Sequence, residues 1–419
     1  MTIESATFLN GLNASNPGAN DQKSEGDDHL RLIKSTVKAS FPNIAGAVSA
    51  TDVQLSFVTG VTSAIQTQIN TKAALGSNAD ITGVTVLTSI NTGQIAGLRN
   101  KLINGAFGLN QRLLATNADD TYSHDGWNVL TQTGTVALST LTDVENGLPR
   151  MARMTQSQAV AQRMGYSQII GGRDCKDLRG KTVTFRLGRT RLSTTANVRH
   201  AVLEWTGTEN AVTSDVVLDW TSAVYTAGNF FLAANLTVSG TVSQALTAAT
   251  LADGSAVTVT LGSTFNNLIV FSWVEATAAQ NVTLDLGRAQ LEIGSVATVF
   301  EVLPDAQDLL LAQQYCNKSY NLSVAPGTVT STGMVYIQRA SATSADNTPL
   351  RFPVPMFAAP TVTTYSDVTG ASGQVRNNAT PADVASTIST AGENGCGVGF
   401  TFAVAGSPGS FHYLAVVEL

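Results

Sequence analysis

Thr182-Val183-Thr184-Phe185-Arg186-Leu187 alternates polar and apolar residues without fault. That is the period-two pattern of a strand with one face on a core and one in water. The same alternation runs through Val282, Leu284 and Leu286 against Thr283 and Asp285, then through Ala289, Leu291 and Ile293 against Gln290 and Glu292. Leu268 to Val274 is instead nearly all apolar, as expected of a central strand covered on both faces. Residues 221–274 carry a single charged side chain, Asp253, among Thr, Ser, Ala, Val and Leu punctuated by glycine. Many short strands at turn spacing predict a mainly β chain with a jelly-roll sandwich over residues 101–303.

Composition points the same way. Of 419 residues 43% are hydrophobic, but only 13% are charged, near half of the usual ~25%. Thr, Ser, Ala, Asn and 36 glycines take up the difference, a mixture that suits strands and turns better than long helices. The length allows roughly three domains at about 150 residues each. A net charge of -6 argues against nucleic-acid binding by phosphate neutralisation. No apolar run approaches the ~18 residues of a membrane span, so no membrane insertion is expected. Met1-Thr2-Ile3-Glu4 lacks the basic and apolar regions of a secretory signal. Cys175, Cys316 and Cys396 are far apart and odd in number, offering neither a disulfide framework nor a CxxC metal site. The expectation is a soluble, mildly acidic protein made in a reducing compartment, with no cofactor.

The first hundred residues read differently. Ser24-Glu25-Gly26-Asp27 has capping-box spacing, with Ser24 as N-cap. Leu30, Ile33, Val37 and Phe41 then mark one apolar helical stripe, which Pro42 closes. A second box, Thr51-Asp52-Val53-Gln54, opens a helix whose Leu55, Val58, Thr62, Ile65 and Ile69 follow a heptad seam. A short parallel bundle of three chains is expected over 46–100, with a helix packed on its own domain as the alternative. From Gly76 to Asn100 short β-branched pieces alternate with glycine. Such pieces bury their faces when wrapped against two identical neighbours, as a thin β neck; an ordinary linker is the other reading. Beyond the sandwich, Asp305-Ala306-Gln307-Asp308 opens a linker helix assigned to 304–317, with Leu309, Ala312 and Cys316 on one face. A distal β-sandwich block at 318–419 follows. Its last strand, from Phe411, is apolar in both alternating sets and is therefore expected to be buried on two sides.

A search for catalytic chemistry returns little. Gly180-Lys181-Thr182 resembles the end of a P-loop, but Cys175 occupies the position of its first glycine. Gly406-Ser407-Pro408-Gly409 misses the spacing of a nucleophile elbow. The four histidines are dispersed, without a metal-type pair. No enzyme is expected, although two facing carboxylates would suffice for a glycosidase. One asymmetry stands out. Residues 150–199 hold eleven of the 24 basic residues but only Asp174 and Asp177 as acids. Either this stretch attracts an anionic glycan or lipopolysaccharide phosphate, or its arginines pair with acids on other strands. Among aromatic residues that stack on sugars, Trp205 and Trp220 end strand-like runs near turns, whereas Trp273 lies inside an apolar run and belongs to the core. Tyr320 and Tyr365, with Tyr413 and the polar loops 367–378 and 390–397, are the candidates in the last block.

The stretch Asn20-Asp21-Gln22-Lys23-Ser24-Glu25-Gly26-Asp27-Asp28-His29-Leu30-Arg31-Leu32-Ile33-Lys34, continuing to Phe41-Pro42-Asn43-Ile44, resembles the N-terminal segment of tailed-bacteriophage tail fibres. Lys101-Leu102-Ile103-Asn104-Gly105-Ala106-Phe107 with Asn110-Gln111-Arg112 is similar to the opening of the carbohydrate-binding-like jelly roll of such fibres. Leu286 to Gly294, running on to Phe300-Glu301, is similar to its closing strand, and Gln314 to Tyr320 to the segment leading into a distal β domain. The resemblance implies a homotrimeric fibre in the virion, assembled in the host cytoplasm. Residues 1–45 would dock on phage tail or adaptor proteins, with Asp21, Lys23, Glu25, Asp27, Asp28, His29 and Arg31 as candidate contacts. The C-terminal β domains would meet a host polysaccharide or lipopolysaccharide. The alternatives are a tailspike-type polysaccharide depolymerase, against which no 20–30-residue repeat is visible, and a virion adaptor without a receptor.

Overall fold

A computed structural model describes residues 4–43, 46, 49–56, 67, 98–142, 149–337, 346–404, 406–417 and 419. The chain divides into two compact units, Met1–Thr85 and Val86–Leu419.

The first unit is built on helix α1 (Gly26–Ser40), entered through a 3-10 turn at Lys23–Glu25. Ser24 is not its N-cap. The tightened turn feeds straight into the helix and no side chain caps it, while the Ser24 hydroxyl lies 3.4 Å from Gln22 Oε1. Phe41 leaves the helical region at φ -130 and ψ 58, as expected of a residue before proline. His29 and Thr36 face inward, so the stripe of Leu30, Ile33, Val37 and Phe41 points to solvent, each at least 43% exposed. The second capping box does form. Thr51 N–H donates to Gln54 Oε1 at 3.0 Å and Gln54 N–H donates to Thr51 Oγ1 at 3.2 Å, at the head of α2 (Asp52–Ser56). Val58, Thr62, Ile65 and Ile69 of the heptad, and the neck up to residue 97, lie outside the described residues.

In the second unit, twelve described strands form the first block: β1 (Thr116–Asn117), β2 (Thr121–Tyr122), β3 (Asn128–Thr131), β4 (Val136–Thr142), β5 (Pro149–Gln156), β6 (Met164–Ile170), β7 (Thr182–Leu192), β8 (Ala196–Trp205), β9 (Leu236–Leu246), β10 (Val257–Thr260), β11 (Asn267–Val274) and β12 (Thr283–Ile293). They make two antiparallel sheets, in the orders β1-β4-β5-β12-β7-β10 and β2-β3-β6-β11-β8-β9, a jelly-roll sandwich. Val183, Phe185 and Leu187 of β7, Leu284 and Leu286 of β12, and Leu268 and Val270 of β11 fill the space between the sheets. The odd-numbered residues Ile269, Phe271 and Trp273 face the other way, into a second cluster. Residues 206–235 cover them with Trp220, Phe230 and Phe231. This is why β11 is buried along its whole length, between β6 and β8.

The two alternating sets at 282–286 and 289–293 belong to one strand, β12. Arg288 sits at φ 55. The side-chain phase slips there, so Leu284 and Leu286 before it and Ala289 and Leu291 after it reach the same core.

The basic stretch is largely paired. Arg153 and Arg191 grip Asp285, Arg186 and Arg189 share Asp253, Arg199 meets Glu275, and Lys176 meets Glu209. Pairing across strands accounts for most of the local charge.

Helix α3 (Asp305–Ala312) is shorter than the linker helix assigned to 304–317. Cys316 is not on its face, because Cys316–Lys318 is already a strand, β13. The block beyond it comprises β14 (Val335–Ile337), β15 (Asp346–Arg351), β16 (Thr361–Tyr365), β17 (Gln374–Asn377), β18 (Ala382–Ala385), β19 (Thr387–Gly392), β20 (Gly395–Phe400) and β21 (Gly409–Val416). Strand β21 pairs with β13, β14, β16 and β17, and β15-β20-β19 form a separate sheet. Its central place explains why β21 is apolar in both alternating sets. The two blocks share one hydrophobic cluster, in which Leu203 and Phe271 sit with Tyr315, Phe357 and Phe411. Lys318 fastens them further. Its buried ammonium donates to the carbonyls of Gln111 (2.8 Å), Leu322 (3.0 Å) and Val324 (2.7 Å), and burial draws its pKa down to about 8.

Candidate functional site

The structure divides the four aromatic residues picked out for sugar stacking into two pairs, Trp205 with Trp220 and Tyr320 with Tyr365. Trp205 and Trp220 are buried under the second sheet, and neither offers a ring face to a ligand. Trp205 donates its indole N–H to the Thr208 carbonyl at 3.0 Å, and Trp220 packs edge-on against Phe230 and Phe271. The apolar cover over residues 206–235 has turned a surface expectation into a core. Tyr320 is buried as well, stacked on His412 with ring centroids 3.8 Å apart. Tyr365 alone of the four is only partly buried.

Tyr365 closes β16 beside Tyr320, whose ring meets it edge-on at 6.2 Å. Two loops hold the pair. In the first, Tyr320 Oη accepts the Gly327 N–H at 3.1 Å, and the Thr330 carbonyl accepts from His412 Nε2 at 2.9 Å. Burial lowers the pKa of His412, and Ser319 lies 2.9 Å from its Nδ1. In the second loop, the Asp383 carboxylate accepts from Ser366 Oγ at 2.9 Å, from Thr369 Oγ1 and from Arg376 Nη1 at 3.2 Å, and these bonds hold its pKa low. The loops touch at Gly327 and Gly370, both at positive φ. A side chain at Gly370 would collide with the Gly327 carbonyl. The exposed Val329 and Val368 rise from the same two loops. The result is a braced platform with one tyrosine and two aliphatic groups, beside a cluster in which Ser366, Thr369 and Arg376 bond to Asp383. Asp383 and Ser366 were illegible as site residues, and Arg376 was legible only as part of the loop 367–378, because the pairing of β17 with β18 is what sets Arg376 against Asp383.

A cleft of about 270 Å³ opens where Asn100–Ile103, Gln168–Asp174 and the end of α3 meet. Its polar groups bond mainly to one another: Lys101 Nζ to Asp177 at 2.8 Å, and Gln168 to both backbone groups of Ile103. Among the described residues, no group of three or more His, Cys, Asp or Glu is placed to hold a metal ion. No described helix is long and apolar enough to cross a membrane.

In the first unit, Lys23, Asp27 and Arg31 are exposed and Glu25 and Asp28 partly so. Asp21 and His29 are not free contacts. Asp21 Oδ2 accepts the Gly18 N–H at 2.7 Å and lies 3.8 Å from the buried His29 ring, so both build the unit itself.

No protein-family model matches the chain, and no curated protein does. Solved structures similar to it include the enzymatically active domain of bacteriophage CBA120 tailspike protein 4, at 12% identity and a TM-score of 0.28. That match covers 46% of this chain and 21% of the tailspike chain, so about a fifth of the latter is spanned. The module TmCBM61, solved with β-1,4-galactotriose, matches at 9% identity and a TM-score of 0.28 over 47% of this chain and 99% of its own. The CBM22-1 xylan-binding domain of Paenibacillus barcinonensis Xyn10C matches at 11% identity and 0.26, over 43% and 94%.

Proposed function

We propose that the chain is a homotrimeric phage tail fibre, incorporated in the virion through its first unit and adhering to a host surface glycan through its C-terminal β blocks. The partly exposed Tyr365 on its braced two-loop platform is the observation that carries the adhesive part. The tail-fibre part rests on the N-terminal resemblance. It gains support from the solvent-facing stripe of Leu30, Ile33, Val37 and Phe41, an apolar face of the kind that docks on another protein. Three copies of one weak sugar site on a common stalk raise avidity by ~10²–10⁴ without any new contact.

Deleting residues 1–45 is expected to abolish incorporation into particles while leaving binding of the purified protein to host cells intact; normal incorporation would sink the docking role. Light scattering of the full-length protein should give three times the 43.7 kDa chain mass. Tyr365→Ala should weaken cell binding by roughly tenfold or more with an unchanged melting temperature. An undiminished affinity would move the glycan site away from this platform.

A further inference from the structure

The outer face of the sheet β4-β5-β12-β7 carries a second feature that the platform does not use. Leu138, Met154, Leu284 and Leu192 stand opposite one another across the four strands and point into the core. The next row, Ser139, Arg153, Asp285 and Arg191, therefore points out. The phase slip at Arg288 keeps this outer face polar along the strands. Beyond it Gln290 and Glu292 of β12 and Arg186 of β7 face outward, where the unbroken alternation would have turned core residues to solvent. Arg186, Arg189 and Arg288 line a cleft of about 160 Å³ at this end of the face, floored by Gly188 and walled by Phe300. A Cβ at Gly188 would lie 3.0 Å from that of Arg288, a tight contact.

What matters is which charges water reaches. Five guanidiniums share the face with three carboxylates. The Asp285 carboxylate is fully buried, and Glu292 is buried too, bonded to Gln290 and to Thr298 N–H and Oγ1. Arg153, Arg186 and Arg191 remain about 30% exposed. Among the described residues, Asp253, between Arg186 and Arg189, is the acid of this face that water reaches. Asp285 and Glu292 lie beneath the guanidiniums, and with Asp253 the described residues set five guanidiniums against three carboxylates, so the described part of this face is positive on a chain whose net charge is -6.

We infer that this sheet face is a second glycan-binding site, selective for acidic polysaccharides. Guanidiniums on adjacent strands present planar, two-pronged donors to anionic groups spaced along an extended chain. The anion is a uronate carboxylate or a phosphate ester. This deepens the adhesion reading on which it rests, by naming the class of receptor.

The test uses the full-length protein with polygalacturonate, a phosphomannan, neutral dextran and duplex DNA as probes, measured by biolayer interferometry in low salt. Retention by polygalacturonate or phosphomannan, with little by dextran, is expected, and whichever polymer binds tighter identifies the anion. Binding should fall steeply when salt is raised past a few hundred millimolar, where screening shortens to a few ångströms. Arg186→Gln and Arg288→Gln should each cost roughly fivefold in affinity, and Arg351→Gln on the distal block should cost nothing. Equal binding to DNA would mean unselective polyanion attraction and would overturn the site. So would retention of neither acidic polymer, or full affinity in both arginine variants. Host cells still bound through Tyr365 in that event would leave adhesion standing without this site; loss of both would remove the adhesion reading too.

Discussion

Asp285→Ala is expected to lower the free energy of unfolding by about 3 kcal/mol. The carboxylate has no exposed surface, and its oxygens accept from Arg153 Nε at 2.7 Å, Arg153 Nη2 at 2.9 Å and Arg191 Nε at 2.7 Å. That hydrogen bonding raises the pKa of Arg153. Removing the acid leaves two guanidiniums facing each other across β12, from β5 and β7, without the carboxylate that both grip, so the loss exceeds that of one hydrogen bond. Their partial exposure lets water solvate them, which holds the cost at the lower end of the range for breaking a buried pair. A triple replacement, Arg153→Met, Asp285→Leu and Arg191→Met, should recover most of the loss, because an apolar trio meets no desolvation penalty. Urea unfolding of the three proteins decides it. A loss under 1 kcal/mol for Asp285→Ala would mean that the triad holds nothing together.

Much of the sandwich was legible in the sequence because its strands obey the rule that one face is wet and the other dry. Strand β7 at residues 182–187 and the fully buried β11 follow directly from period and composition. The phase slip was half legible. Two alternating sets showed around Gly287-Arg288, but only the pairing of both sets with one β7 makes them a single strand. What the sequence could not display is cover from a distance. Trp205 and Trp220 looked like strand ends near turns, and they are core because residues 206–235 fold back over the sheet with Phe230 and Phe231. Nor could it say which face of α1 turns inward, since the apolar stripe suggested one answer and the inward-facing His29 and Thr36 give the other. The site at Tyr365 was legible as a residue type in a polar loop region, and its bracing by Asp383 and Arg376 was not. That bracing depends on strand pairing, which local pattern does not specify.

The second large effect concerns pH. His200 stands in the middle of the sandwich, fully buried, with Nδ1 2.9 Å from Ser272 Oγ and Nε2 3.1 Å from Gln244 Oε1. Gln244 Nε2 donates to the Asp253 carbonyl, which leaves its Oε1 to accept from the imidazole, so the ring carries a proton on Nε2. Burial lowers the pKa of His200 to about 4, and that of the equally buried His124 to about 4. An unfolded histidine takes up its proton near pH 6.5. Between these values the unfolded chain binds more protons than the folded one, so stability falls as pH falls through that window. At 1.36 kcal/mol per unit, each histidine withdraws about 2–3 kcal/mol by pH 4.5. Asp215, which burial raises to about 6, acts with the opposite sign, since it is already protonated in the fold where the unfolded chain is not. The histidine contribution must therefore be read as a difference. His200→Gln keeps an amide donor for Gln244 and removes the titration, leaving Asp215 and His124 untouched. The stability of the native chain relative to this variant should drop by about 2–3 kcal/mol between pH 7 and pH 4.5, measured by urea unfolding at both values. A difference that stays constant with pH would mean that the buried imidazole is charged in the fold, and that Nδ1 donates to Ser272 Oγ instead of accepting from it.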